Sequence, residues 1–170
     1  YASRKVAGGY DFKLLFTEVK PIIQQYDLAF YNQETILGGS EIGLSHYPRF
    51  NSPYEVGDAF LDMGFNIVSL ANNHTLDRGR QAVTNSNNYW NSKANVMHNG
   101  SALTAEEKSS IDIREKNGIK YAMLSYTATT NGITPYDENC VSVYSADGVK
   151  ADIESVRDKV DLLMVAMHWG

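Results

Sequence analysis

Short apolar segments alternate with helix-like segments along this chain, and several apolar segments end abruptly in polar residues. Residues 28–31, 65–70 and 161–167 are short and almost continuously apolar, which predicts buried strands. Helical spacing of apolar residues predicts helices over 53–63, 81–93 and 147–159. The alternation predicts an α/β fold in which helices flank a mixed sheet.

Weaker local patterns complete the predicted order of elements. Apolar residues at helical spacing predict a helix over 12–23 in which Pro21 causes a kink or a break. Residues 52–55 have the pattern of a capping box. The Asn117-Gly118 turn predicts a β-hairpin whose return strand begins at Ile119. We expect residues 99–108 to be exposed and residues 141–144 to form a short strand.

Composition limits the possible functions of the chain. Its 170 residues suffice for one domain, which we expect to span 1–170. The net charge is −5 and no basic cluster is present, so a nucleic-acid partner is disfavoured. The chain begins at Tyr1 rather than Met, which leaves room for a preceding signal or membrane anchor in the natural protein.

Three groups of polar side chains follow predicted strands. They are Asn32 with Glu34; Asn72, Asn73, His74 and Asp77; and His168. If the strands are parallel neighbours, their carboxyl ends bring all three groups to one edge of the sheet. Carboxylate, amide oxygen and neutral imidazole together suit a divalent transition metal, so we expect Mn²⁺, Fe²⁺ or Zn²⁺ at this edge.

Such a site can support hydrolysis. A divalent metal lowers the pKa of a bound water, and a nearby histidine can protonate a leaving group. Asn32, Asn72 and Arg78 are candidates for contacting the substrate, Arg78 because it can pair with an anion. The competing interpretation is structural, because Asn-rich turns after strands also satisfy backbone groups.

Three motifs resemble the CapA family, whose members are bacterial capsule or poly-γ-glutamate synthesis proteins related to calcineurin-like metallophosphoesterases. The motifs are Asn32-Gln33-Glu34-Thr35, the segment 69–79 and Met167-His168-Trp169-Gly170. Further segments also resemble the family: Tyr10-Asp11-Phe12, 47–53, and Tyr126-Thr127 with Asn131-Gly132. Together the motifs occur in the family's order and span nearly the whole chain. The Asn-Asn-His-x-x-Asp element at 72–77 is the most specific part.

The resemblance implies a metallophosphatase-like α/β sandwich with a metal-dependent site. It places Glu34 where the superfamily has a bridging metal ligand, and it matches Asn73 and His168 to further metal ligands. It matches His74 to a residue that donates a proton or contacts phosphate, with Asp77 orienting it. His74 and Asp77 are therefore the predicted catalytic pair.

Two family motifs lie outside the chain. The family opens with a Gly-Asp motif on its first strand, which is not found here, and the chain stops at Gly170 before a Gly-x-His-x-His element. We therefore expect a fragment of the domain, truncated at both ends and lacking several metal ligands.

The resemblance leaves three functions open. The favoured one is a metal-dependent hydrolase of capsule or poly-γ-glutamate biosynthesis, acting on a phosphoester or an amide-like bond. The second is a non-catalytic extracellular component that binds polymer or scaffolds the synthase, and the third is a general nucleotidase. The expected partners are an acidic capsular polymer or its precursor and membrane-bound synthase subunits. We expect the protein at the extracellular face of a bacterial membrane, anchored through a segment absent from this chain.

Overall fold

Two three-stranded sheets lie at the centre of the chain, and helices pack on their outer faces. A computed structural model describes all residues from 1 to 170. The strands are β1 (Lys5–Val6), β2 (Gly9–Tyr10), β3 (Phe30–Asn32), β4 (Ile67–Ser69), β5 (Met97–Asn99), β6 (Arg114–Lys116), β7 (Ile119–Thr127) and β8 (Leu162–His168). The α-helices are α1 (Lys20–Ile23), α2 (Glu55–Met63), α3 (Gly79–Asn91), α4 (Ala105–Ser109) and α5 (Ala146–Val156). Short 3₁₀ helices cover Ala2–Arg4, Lys13–Phe16, Ser40–Ile42 and Arg157–Lys159.

The strand order explains how distant segments reach one edge. The first sheet has the order β3-β4-β5 and is parallel throughout, with Asn32 opposite Ser69 and Ser69 opposite Asn99. In the second sheet β7 is central, antiparallel to β6 and parallel to β8. β1 and β2 form a separate small hairpin.

Side-chain alternation along the strands builds the layers. Ile67 and Met97 of the first sheet pack against Tyr121 and Met123 of the second, which forms the core between the sheets. Neighbouring strand residues point to opposite faces, and Val68 accordingly packs on the helical side. The layers are therefore helix, sheet, sheet and helix.

The outer layers are also apolar. Trp90 of α3 is fully buried with Tyr31 and Val68, and the Phe60 ring of α2 stacks on Tyr31 at 4.4 Å between ring centroids. On the other side, Val156 of α5 packs with residues of β7. This arrangement confirms the predicted fold class, an α/β sandwich of mixed sheets flanked by helices.

The helix predicted over 12–23 is wrong. The segment forms the 3₁₀ helix Lys13–Phe16 and the short α1, and Pro21 lies in the first turn of α1. Leu15 and Ile22 of the predicted apolar face are both more than half exposed. Because burial of an apolar face provides most helix stability in proteins, this poorly buried segment does not form one long helix.

The capping box predicted at 52–55 is also wrong. α2 begins at Glu55 without a side-chain cap. The Ser52 hydroxyl donates to Thr35 Oγ1 at 2.7 Å, and Glu55 Oε1 accepts from the backbone N–H of Tyr10 at 3.1 Å. Long-range partners therefore take both side chains. Gly64 does end the helix, in the left-handed conformation.

The predictions for residues 99–108 and 141–144 also need correction. Part of the segment 99–108 belongs to α4, whose N-cap Thr104 accepts from the backbone N–H of Glu107 at 3.1 Å, and Ala102 is buried. Instead of a strand over 141–144, Val143 forms only an isolated bridge with Thr127.

Candidate functional site

The metal ligands predicted from the sequence lie side by side at the carboxyl ends of the strands. Glu34 follows β3, Asn73 lies in the turn after β4, and His168 ends β8. His168 Nε2 is 3.0 Å from Asn73 Oδ1 and 4.0 Å from Glu34 Oε1. Two separate sheets thus bring a carboxylate, an amide and an imidazole together, although their role as metal ligands stays a prediction.

A chain of hydrogen bonds fixes the amides beside this cluster. The backbone N–H of His74 donates to Asn72 Oδ1 at 3.0 Å, and Asn72 Nδ2 donates to Gln33 O at 3.0 Å and Asn32 Oδ1 at 3.3 Å. Asn32 Nδ2 then faces Glu34 Oε2 at 3.4 Å and His168 Nδ1 at 3.5 Å. Asn72 is only 1% exposed, so its amide holds Asn32 and the backbone of His74 in place from the buried side of the cluster. Contact of Asn32 and Asn72 with substrate stays a prediction.

The predicted catalytic pair is joined by a short hydrogen bond. His74 Nδ1 donates to Asp77 Oδ2 at 2.7 Å, and the same oxygen accepts from the backbone N–H of Phe50 at 2.7 Å. The Asp77 side chain is only 1% exposed. The Phe50 ring packs edge-on against the imidazole, with 4.6 Å between centroids. These contacts fix the ring plane and leave Nε2 without a protein partner.

A cleft of about 320 Å³ lies next to the pair. Its lining residues are Tyr47, Pro48, Arg49, Asn73, His74, Asp77, Asn131 and Ile133. The cleft therefore joins the catalytic pair to Asn73 of the ligand cluster. Arg49 is the only lysine or arginine in the lining, so it is the group best placed to meet an anionic substrate there.

Arg78 makes structural contacts in the observed arrangement. Its guanidinium donates to Ile42 O and Gly43 O, each at 3.0 Å, and to Ser45 Oγ at 2.7 Å. The three bonds hold the 42–45 turn against the start of α3. The predicted contact of Arg78 with substrate stays a prediction.

Sequence reasoning assigned no site role to Asn131. Its Oδ1 accepts from Asn73 Nδ2 at 3.2 Å, and its backbone is left-handed, with φ of +54°. Because the NH₂ group of Asn73 is turned toward Asn131, Asn73 Oδ1 faces His168. An Asn-Gly pair at 131–132 is a turn signal, and nothing in the sequence pattern connects that turn to the metal ligands.

The donor set fits a first-row divalent cation in spacing but not in charge. The 3.0 Å and 4.0 Å from His168 Nε2 to the amide and carboxylate oxygens are short enough for all three atoms to reach one ion with ligand distances of about 2.1 Å. However, the structure contains no group of three or more His, Cys, Asp or Glu side chains arranged so that they could hold a metal ion. The cluster of one carboxylate, one imidazole and one amide thus fits weak cation binding.

Cation binding also requires a proton rearrangement at His168. The observed contacts have Nε2–H donating to Asn73 Oδ1 and Nδ1 accepting from Asn32 Nδ2. A cation held at Nε2 would need the lone pair there, so the ring proton would lie on Nδ1 and would face the NH₂ group of Asn32. Asn32 must then give up its contact with the ring.

The layered sheets and the polar cluster at the strand ends define an α/β-sandwich protein with a candidate metal site. The sequence profile of the bacterial capsule synthesis protein PGA_cap family matches residues 1–170, so the chain belongs to that family. The resemblance derived from the motifs is thereby confirmed.

A curated relative agrees with this assignment. The chain is 26% identical over 112 residues to the PGA biosynthesis protein CapA of Bacillus subtilis (strain 168). The match covers 64% of this chain and 29% of the relative, so the chain spans less than a third of the relative's length.

Proposed function

We propose that this chain carries part of the active site of a metal-dependent hydrolase that cleaves a phosphoester or an amide-like bond during capsule or poly-γ-glutamate synthesis. One observation supports this most strongly: the cluster of Glu34, Asn73 and His168 lies beside the hydrogen-bonded pair His74–Asp77, and Asn73 and His74 line the same cleft. A structural turn needs only the buried amides and does not account for a histidine held by a buried carboxylate beside a cleft.

The ligand cluster would hold a divalent cation such as Mn²⁺, Fe²⁺ or Zn²⁺. Glu34 supplies the negative charge, His168 the imidazole nitrogen and Asn73 the amide oxygen. The bound cation supplies Lewis acidity at the bond to be cleaved. Asn131 and Asn32 orient Asn73 and Glu34 through their amide groups.

His74 would move the proton. With Nδ1–H bonded to Asp77, the imidazole presents Nε2 as the atom that exchanges a proton with the substrate. The Asp77 carboxylate stabilises the imidazolium form, from which Nε2–H protonates the leaving oxygen or nitrogen. Phe50 covers one side of the ring and limits the access of water.

Membership of the family supports a proposal for the substrate and the cellular setting. The proposed substrate is an acidic capsular polymer or its precursor, met in the cleft by Arg49 and the cation. The proposed partners are membrane-bound synthase subunits, and the proposed location is the extracellular face of the bacterial membrane. None of the helices has the length and apolar character that crossing a membrane requires.

The test uses the full-length protein that contains this chain. Metal content is measured together with hydrolysis of bis(p-nitrophenyl) phosphate and of poly-γ-glutamate, for the wild type and for Asn73→Ala and His74→Ala. We expect Asn73→Ala to lose both metal and activity, and His74→Ala to keep metal and lose activity by about 10²–10⁴-fold. The exposed Asn88→Asp serves as the control.

Two results would overturn the proposal. Equal activity in the wild type and both variants would remove the mechanism. Capture of poly-γ-glutamate by metal-free protein, without hydrolysis of either substrate, would favour the non-catalytic polymer-binding role.

A further inference from the structure

A second cavity lies outside the cleft and has no role in the proposed hydrolysis. It has a volume of about 220 Å³ and opens between α3, the end of β5 and α4. The residues that carry the argument are Asn87, His98, Asn99, Glu107, Lys108 and Asp112. None of them lines the cleft beside His74.

Asn87 presents an unpartnered carbonyl oxygen in this cavity. Its Nδ2 donates to Val83 O at 2.9 Å and to Ser101 Oγ at 2.8 Å, while the Ser101 hydroxyl donates to Cys140 O at 2.8 Å. Both partners of Nδ2 therefore act as acceptors, which fixes the orientation of the amide. Asn87 is only 1% exposed, and its Oδ1 accepts no hydrogen bond from the protein. This oxygen keeps contact with the open cavity, so a ligand or water there can satisfy it.

Asn99 supplies the complementary donor. Its Oδ1 accepts from the backbone N–H of Ser125 at 2.9 Å, which leaves Nδ2 directed away from β7 and without a protein partner. The His98 ring also makes no hydrogen bond, and burial lowers its pKa to about 4, so it is neutral at pH 7. The cavity thus offers an acceptor, a donor and a neutral ring, all held by the fold.

The charged groups of the lining are already engaged. Glu107 accepts from the Leu103 N–H at 2.8 Å and from Asn91 Nδ2 at 3.3 Å, and Asp112 pairs with Arg114 at 2.7 Å. Lys108 Nζ donates to the carbonyl of Glu138. The two carboxylates disfavour an anionic ligand, and the unpaired groups are uncharged.

We propose that this cavity binds one uncharged hexose-sized sugar unit. A sugar hydroxyl can donate to Asn87 Oδ1 and a second hydroxyl oxygen can accept from Asn99 Nδ2, a combination that a carboxylate cannot provide. The volume is below the range of about 300–1,000 Å³ found for drug-sized ligands, which favours a single ring. Since the lining contains no Trp, Tyr or Phe ring on which a sugar could stack, we expect a millimolar Kd.

The experiment is saturation-transfer difference NMR on the full-length protein with N-acetylglucosamine, glucose and L-glutamate as probes. We expect at least one sugar to bind and glutamate not to bind. Asn99→Asp keeps an oxygen for the Ser125 N–H but replaces the free donor, so it should weaken sugar binding at least tenfold. Asn88→Asp makes the same chemical change on the exposed side of α3 and should leave binding unchanged.

A second variant tests the same cavity without depending on the folding of Asn99→Asp. Ser110 is exposed at the rim of the cavity, so Ser110→Tyr should fold normally and reduce sugar binding by filling the entrance. No binding of either sugar at tens of millimolar would overturn the proposal. Equal sugar binding by the wild type and Ser110→Tyr, or glutamate binding that depends on Asn99, would also overturn it.

Discussion

His98 allows the burial of a single side chain to be measured through pH. The residue lies in β5 next to Trp90, with 6.5 Å between ring centroids, and it makes no hydrogen bond. Burial lowers its pKa from 6.5 to about 4, while the neighbouring Asp112 opposes that shift and Arg114 adds to it. We therefore expect the folded protein to resist protonation of this ring.

The sign and size of the effect follow from linkage. As pH falls below 6.5, His98 takes up a proton in the unfolded chain but not in the folded one until pH is about 4. The stability contributed by neutral His98 is therefore complete above pH 6.5 and is lost between pH 6.5 and about 4. A shift from 6.5 to about 4 corresponds to at most about 3 kcal/mol in the free energy of unfolding.

The measurement is urea unfolding followed by tryptophan fluorescence, at neutral pH and near pH 4, in the wild type and His98→Gln. Carboxylates that titrate in this range contribute equally to both proteins, so the difference between the two pH responses isolates His98. We expect the wild type to lose up to about 3 kcal/mol more than the variant. The exposed His46→Gln should behave like the wild type. Identical pH responses of the wild type and His98→Gln would refute the burial argument.

Three further predictions concern the strand-end site. Asn32→Asp would provide a carboxylate to accept from His168 Nδ1–H when a cation is bound at Nε2. The affinity for a divalent cation, measured by calorimetry, should therefore rise about tenfold. The metal-free variant should melt at a lower temperature than the wild type. Asn131→Ala leaves the NH₂ group of Asn73 unpartnered and should weaken cation binding while changing the melting temperature little, as a paired calorimetry and melting series will show. Arg78→Lys cannot reproduce the three-bond fork on the 42–45 turn and should lower the free energy of unfolding by about 1–3 kcal/mol in urea titration; an unchanged stability would contradict the structural role.

The sequence alone predicted those elements that a local pattern of apolar and polar residues marks. Continuous apolar runs predicted β4 and β8. β4 is buried on both faces, as such a run indicates, whereas β8 is an edge strand on which Leu162 and Val165 are exposed. The abrupt change to Asn, His and Asp after these runs located the polar cluster, since the carboxyl ends of parallel strands share an edge. That rule accounts for the nearness of Glu34 and Asn73, whose strands are parallel neighbours. The expectation of a single sheet was wrong for His168, because β8 belongs to the second sheet and reaches Asn73 through the packing of the two sheets.

Features that depend on long-range partners were not predictable. Ser52 and Glu55 match a capping box by spacing, yet their hydrogen bonds go to Thr35 and to the Tyr10 backbone. Arg78 resembles a substrate contact by type, but its bonds to the 42–45 turn appear only in the fold. His98 is a partly buried strand residue that lines a cavity, and that environment is built by α3 and α4, which lie outside its own strand.

The amides at the site hold the predicted metal ligands together through hydrogen bonds. Several carboxylates placed side by side repel one another. Here Asn32 Nδ2 instead donates to Glu34, and Asn73 Oδ1 accepts from His168. Asn32 Oδ1 in turn accepts from Asn72. The cluster is therefore preorganised, and cation binding needs little more than a proton shift on the His168 ring and a turn of one amide. The same amides contribute no charge, so preorganisation comes with weak attraction for a divalent ion. Tight binding of a divalent cation at this site would thus require additional negative charge near Glu34. The increase in cation affinity expected for Asn32→Asp measures the effect of adding that charge.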